Sequence, residues 1–252
     1  MGSTLTTSPG TWPEGTTLAY QWLADGRALD GADDSSLRLT AAEYGMVIGV
    51  QVTATRAGYE TVMSGSEVTA AVAAGDLGAT PRPTITGTVR VGTTASAVAG
   101  AWDEGVTLSY QWLRGGKAIP GAKSATYDVV AADYGSTLTV AVTGSKYGYA
   151  TVTSTSAASP VLAGLQTLRP TPVITGKAKV GRTLGVRATY DSGVKLSYAW
   201  FAGGKAVGKG KSTLTIGKKL KGKRIWVTVT ATKKGYTDVV GTSAKTAKVK
   251  KK

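Results

Sequence analysis

Leu108-Ser109-Tyr110-Gln111-Trp112-Leu113 is a short alternating stretch built around Tyr-x-Trp, and the chain carries that cassette three times. Tyr20-Gln21-Trp22-Leu23 stands 90 residues before it and Tyr198-Ala199-Trp200-Phe201 stands 88 after it. Other landmarks keep the same beat: Trp12, Trp102 and Tyr190, then Gly58-Tyr59, Gly148-Tyr149 and Gly235-Tyr236. A period of that length marks one small independent domain, whereas a solenoid unit repeats every ~20–50 residues. The repeat divides the 252 residues into modules 1–75, 76–164 and 165–252.

Around the cassette the pattern is that of strands. Leu108, Tyr110 and Trp112 share one face of an extended segment. Ile48 to Ala54, Leu138 to Thr143 and Ile225 to Thr230 alternate in the same way, one face apolar and the other rich in threonine. Asp25-Gly26, Gly115-Gly116 and Gly203-Gly204 follow the tryptophan strand as hairpin turns, and Ile119 to Lys123 reads as a further turn. Leu39 to Gly45 and Val130 to Gly135 read as a single helical turn, which repeat three replaces with Ile216 to Gly222. Tyr44 and Tyr134 within it resemble a tyrosine corner, a hydroxyl bonded back to the backbone. About seven strands per module with no long amphipathic helix predict an all-β chain of three tandem Ig-like antiparallel sandwiches. The short pieces Gly75 to Thr80 and Gly164 to Arg169, each followed by Pro-x-Pro, predict a semi-extended chain of beads with limited bending.

Met1-Gly2-Ser3-Thr4 aligns with Val91 to Thr94 and Val180 to Thr183, so the first module lacks the opening strand that Pro81 to Gly87 and Pro170 to Gly176 supply in the others. The expectation is a piece of a longer protein, with a catalytic or other domain N-terminal to it. No run of apolar residues is long enough to span a membrane, and the start has no signal-peptide pattern.

The spaced elements Tyr-Gln-Trp-Leu, then Thr40-Ala41-Ala42-Glu43-Tyr44-Gly45 or Val130-Ala131-Ala132-Asp133-Tyr134-Gly135, then an alternating strand and Gly-Tyr, resemble the immunoglobulin-like repeats of secreted and surface proteins from actinobacteria. The resemblance covers nearly the whole chain. It implies a seven-stranded sandwich, an extracellular or cell-surface location and an accessory role without a catalytic set. Repeat three departs from it at the helical turn and in its lysine content.

Composition argues the same way. The chain has no cysteine, histidine or asparagine. Disulfides, Ser-His and Cys-His nucleophile pairs, and thiolate or imidazole metal sites are therefore excluded. No phosphate loop or calcium loop is present, Asp33-Asp34 standing alone, so neither cofactor nor catalysis is expected.

Four groups of residues remain as candidates. Trp22, Trp112 and Trp200 lie mid-strand and read as the core tryptophans of the sandwich. Trp12, Trp102 and Tyr190 lie in glycine-rich loops, where they either cap an open end or stack on a sugar ring while Glu14, Asp103, Glu104 or Asp191 bonds its hydroxyls. Tyr59, Tyr149 and Tyr236 follow a turn glycine and read as rings folded on the sheet edge.

The fourth group is charge. The net +15 is uneven: residues 1–75 hold 3 Lys/Arg against 8 Asp/Glu, residues 76–164 hold 6 against 5, and residues 165–252 hold 21 against 2. Lys218, Lys219, Lys221, Lys223, Arg224, Lys233, Lys234, Lys250, Lys251 and Lys252 are the candidate polyanion contacts. Such a field binds polyanions through counterion release. At a cell envelope these are anionic cell-wall polymers, such as teichoic acids, or acidic polysaccharides; no pattern of specific nucleic-acid recognition is present. The sequence thus predicts a spacer that attaches electrostatically to the envelope. The alternatives are a carbohydrate-binding region that targets an attached glycoside hydrolase, and a phage virion decoration or adhesion module.

Overall fold

The structure is a computed structural model that describes residues 1–166 and 171–251. The chain forms two compact units, one of Met1–Thr84, Val98–Gln111 and Val140–Ser156, the other of Ile85–Ala97, Trp112–Thr139 and Ala157–Lys252. The division runs through the second repeat. Strand pairing follows the repeats instead: among the described residues each antiparallel sheet draws its strands from a single repeat.

Repeat one has β1 (Thr4–Thr6), β2 (Thr17–Ala24), β3 (Arg27–Ala28), β4 (Ser36–Arg38), β5 (Ile48–Thr55) and β6 (Val62–Gly65), in sheets β1-β4 and β3-β2-β5-β6. Repeat two has β7 (Thr84–Thr86), β8 (Thr94–Val98), β9 (Thr107–Arg114), β10 (Lys117–Ala118), β11 (Thr126–Asp128), β12 (Thr137–Ser145), β13 (Val152–Thr155) and β14 (Ser159–Pro160). Its sheets run β11-β8-β7 and β10-β9-β12-β13, with β14 also on β12. Repeat three has β15 (Val173–Thr175), β16 (Thr183–Arg187), β17 (Lys195–Ala202), β18 (Lys205–Lys209), β19 (Thr213–Thr215), β20 (Ile225–Thr232) and β21 (Val239–Thr242), in sheets β15-β16-β19 and β18-β17-β20-β21. β8 and β16 lie between two partners, whereas β1, their counterpart, pairs with β4 alone among the described residues. The chain is three tandem Ig-like sandwiches, the first without an opening strand.

In repeats one and three the two sheets meet face to face. In repeat one Leu5 and Leu37 of the small sheet pack against the cluster of Trp22, Ile48 and Val50. In repeat three Leu184 and Leu214 pack with Trp200, Val227 and Val229. Trp112 and Trp200 are fully buried and Trp22 nearly so. A buried indole N–H needs an acceptor, and each finds a loop carbonyl: Asp34 at 2.9 Å for Trp22, Ser124 at 2.9 Å for Trp112, Lys211 at 3.0 Å for Trp200. The hairpin after each tryptophan strand turns on two residues with positive φ, as a type I′ turn requires: Asp25-Gly26, Gly115-Gly116 and Gly203-Gly204.

The loop before β5, β12 and β20 departs from its sequence reading. A 3-10 turn forms at Ala41–Glu43 and also at Lys218–Leu220 in repeat three, while the stretch from Ala131 in repeat two is turn without helix. The tyrosine corner is absent. Tyr44 and Tyr134 are 40% and 53% exposed, and neither hydroxyl is hydrogen-bonded among the described residues. The residue beside each does the pinning. Glu43 Oε2 accepts from Thr40 N at 2.7 Å and Thr40 Oγ1 at 2.8 Å, while Thr40 Oγ1 accepts from Ala42 N, a capping box. Asp133, fully buried, accepts from Val130 N at 2.7 Å, Tyr127 OH at 3.0 Å and Arg114 Nε at 2.5 Å. In each case a carboxylate reaches back to its own loop's N–H group, while the neighbouring phenol stays exposed. No helix of the described residues is long and apolar enough to cross a membrane.

Candidate functional site

Chain topology gathers most of the basic candidates at one end of repeat three. Lys218, Lys219, Lys221, Lys223 and Arg224 occupy the 3-10 turn and the run into β20, all exposed. Val249, buried, is tied to that run: Gly222 N donates to Val249 O at 3.0 Å and Val249 N to Lys223 O at 2.9 Å. Lys250 in turn bridges Lys179 in parallel. The tail lysines Lys248, Lys250 and Lys251 are exposed as well. The tail and the Lys218–Arg224 run therefore form one basic surface, although they lie far apart in sequence. Lys233 and Lys234 lie at the other end of β20, eight residues of strand away, which is roughly 26 Å at ~3.3 Å per residue. Lys233 Nζ sits 4.6 Å from the Tyr236 ring centroid. Lys252 lies outside the described residues. Among the described residues the one ion pair is Arg114–Asp133, so the basic surface has no carboxylate partner there.

Sequence reasoning missed an aromatic pair on this repeat. Phe201 and Trp226 pair across β17 and β20 with rings 5.5 Å apart and nearly parallel, and Lys245 Nζ lies 5.1 Å from the indole. The signal was present: Trp226 occupies the strand position that Gly49 and Thr139 hold in the other repeats.

The loop aromatics divide. Trp102 is half-buried, its Nε1 donates to Ala99 O at 3.2 Å, and its ring lies directly over Gly144. Asp103 does not face open solvent with it: its carboxylate accepts from Gly78 N at 2.6 Å and Ala79 N at 3.1 Å. Glu104 is exposed, and its backbone carbonyl accepts from Lys146 Nζ at 2.8 Å. Tyr190 packs against the core of repeat three, and burial of its hydroxyl beside Tyr198 raises its pKa. Trp12 lines an open apolar cleft, of about 420 Å³, with Ala54, Arg56, Tyr59 and Val62; Glu14 beside it is exposed.

The Gly-Tyr turns are joints, a role sequence reasoning did not give them. Gly75 bridges Tyr149 in parallel: Gly75 N donates to Gly148 O at 2.9 Å and Ala150 N to Gly75 O at 2.8 Å. Gly164 bridges Tyr236 in the same way, Gly164 N to Gly235 O at 2.8 Å and Thr237 N to Gly164 O at 2.9 Å. The segment that follows each glycine lies along the next repeat and buries Leu77 in one case and Gln166 in the other. Gln166 Nε2 donates to Ala231 O and Thr237 O, both at 2.7 Å.

Among the described residues no three His, Cys, Asp or Glu side chains come together as a metal site would require.

No protein-family model matches the chain and no curated protein matches it. Among solved structures it is similar to the three N-terminal domains of the highly immunogenic outer capsid protein of bacteriophage RB49 (17% identity, 99% of this chain and 93% of that one, TM-score 0.33). It is similar also to a Ca2+-stabilized adhesin with which an Antarctic bacterium binds ice (18% identity, 99% and 68%, TM-score 0.34). A third is a four-domain ectodomain fragment of ICAM-5 (11% identity, 99% and 72%, TM-score 0.38). At such scores these likenesses add nothing to the fold that strand pairing establishes.

Proposed function

We propose that this chain is a non-catalytic, extracellular accessory region of the actinobacterial surface-repeat kind, three separately folded domains (1–75, 76–164, 165–252) acting as a spacer that repeat three attaches to an anionic envelope polymer. The observation that carries the reading is the basic end of repeat three, with Lys179, Lys218, Lys219, Lys221, Lys223, Arg224, Lys248 and Lys250 on one surface and, among the described residues, no carboxylate paired with them. Its counterpart in repeat two carries Ala131 where repeat three has Lys218. A rim of exposed lysines on flexible stems suits a flexible phosphate- or carboxylate-bearing chain, which asks for charge density more than for shape.

The test is co-sedimentation of the whole chain with purified bacterial cell walls, before and after chemical removal of their anionic glycopolymers. Retention that disappears on stripping supports attachment through charge. Equal retention on stripped walls assigns the affinity to peptidoglycan or neutral sugar and contradicts the reading.

A further inference from the structure

We infer that the Trp12–Tyr59 cleft of repeat one is a docking site for the closing segment of another Ig-like repeat: an extended stretch with a glycine at the bridge and an apolar or amide side chain two residues on. The argument comes from the other two repeats, where the same groove is filled by such a stretch. Gly75 with Leu77 fills it in repeat two and Gly164 with Gln166 in repeat three.

The groove in repeat one has the same parts without the occupant. Gly58, Tyr59 and Glu60 stand where Gly148, Tyr149 and Ala150 stand, and Ala54 where Gly144 and Ala231 stand. Gly148 and Gly235 are buried, whereas Gly58 is exposed and Tyr59 is 67% exposed. Among the described residues Gly58 O and Glu60 N, the counterparts of the two bridge groups, carry no hydrogen bond. Arg56 lies 4.6 Å over the Tyr59 ring, as Lys146 lies over Tyr149 and Lys233 over Tyr236. An edge with an unpaired donor and acceptor beside an apolar cleft is what strand addition uses.

The occupant's chemistry follows from the filled grooves. At the bridge a side chain would crowd the groove's tyrosine: a Cβ on Gly164 would lie 2.5 Å from Tyr236 Cδ1, and one on Gly75 3.3 Å from Tyr149 Cδ1. Two residues on, a side chain of leucine or glutamine size enters the cleft. One part differs. Pro13 replaces Asp103, so the clamp on the N–H groups three and four residues after the bridge glycine is missing and docking rests on the bridge and the cleft. The inference stands apart from the attachment role of repeat three.

Two measurements test it. In the first, a peptide with the sequence of residues 71–80 is added to the full chain and followed by NMR at the Trp12 indole and the Glu60 amide. In the second, the chain is extended at Met1 with a copy of residues 75–90, which makes docking intramolecular and raises the effective concentration to roughly millimolar or above. The expected result is saturable change at both groups with the peptide, and at least about tenfold slower exchange of the Glu60 N–H in the extended chain. Gly75→Val with Leu77→Asp, in peptide or extension, abolishes both. Unchanged Trp12 and Glu60 in the extended chain overturn the inference, as does a response to neutral oligosaccharides that the peptide does not compete, or a concentration-dependent dimer that the peptide does not dissociate.

Discussion

The indole of Trp102 lies so close over Gly144 that no side chain fits between them: a Cβ built on Gly144 would overlap the ring carbons and touch Val106 Cγ1 at 3.0 Å. The aromatic of this loop is thus part of the wall of repeat two. Gly144→Ala should destabilise by about 1–3 kcal/mol, the usual cost of overpacking. A urea midpoint that falls with an unchanged slope would bear this out; an unchanged midpoint would show that the ring lifts off freely.

Loop pinning by Asp133 gives a second expectation. Asp133→Ala leaves Val130 N, Tyr127 OH and Arg114 Nε without their common acceptor. The loss should be about 1–3 kcal/mol, the penalty for stranding buried polar groups. Glu43→Ala in repeat one should cost less, about 1 kcal/mol, since Glu43 accepts only from Thr40 and the Thr40 cap survives. Thermal scans of both variants measure the order, and an Asp133→Ala loss smaller than that of Glu43→Ala would reverse it.

Alkaline pH should act through Tyr127. Its pKa is raised, first by burial and then by the Asp133 carboxylate it bonds. The folded state therefore holds the phenolic proton more tightly than the unfolded one. Its contribution is fully present below the ordinary tyrosine pKa of about 10 and is lost as pH climbs through the higher folded value. Tyr127→Phe should flatten that part of the stability curve above about pH 10; the same slope in the variant would assign it elsewhere, Tyr190 being the next group with a raised pKa.

The joints predict a local effect. Gly235 has φ +78°, and a Cβ there would lie 3.0 Å from the Ala131 Cα. Gly235→Val is strained by both the dihedral and the contact. Amide exchange at Gly164 and Thr237 should accelerate while that of Val229 in the core of repeat three stays slow. Equal acceleration at all three would mean that the substitution unfolds the repeat.

The sandwich was legible because it rests on local periodicity: the alternation around Trp22, Trp112 and Trp200 and the paired positive-φ turns are written within a few residues of each other. Loop pinning was half legible. Thr40-x-x-Glu43 is a capping pattern, but the neighbouring Tyr44 drew the assignment because a tyrosine corner and an acid cap occupy adjacent positions. The joints were not legible, since Gly164 and Tyr236 are 72 residues apart and nothing local marks a bridge. For the same reason the sequence offered ten cations as one set, while the fold separates Lys233 and Lys234 from the rest by the length of β20.

Affinity of the whole chain for a soluble anionic polymer, such as poly(glycerol phosphate), as a function of salt tests the attachment role most directly. Log affinity should fall linearly with log salt concentration, and Lys218, Lys219, Lys221 and Lys223 changed together to Gln should lower that slope by roughly 3. The Lys233→Gln, Lys234→Gln pair, on the far end of β20, should leave it nearly unchanged. A slope insensitive to the first set, or equally sensitive to both, would contradict a role for this end of repeat three.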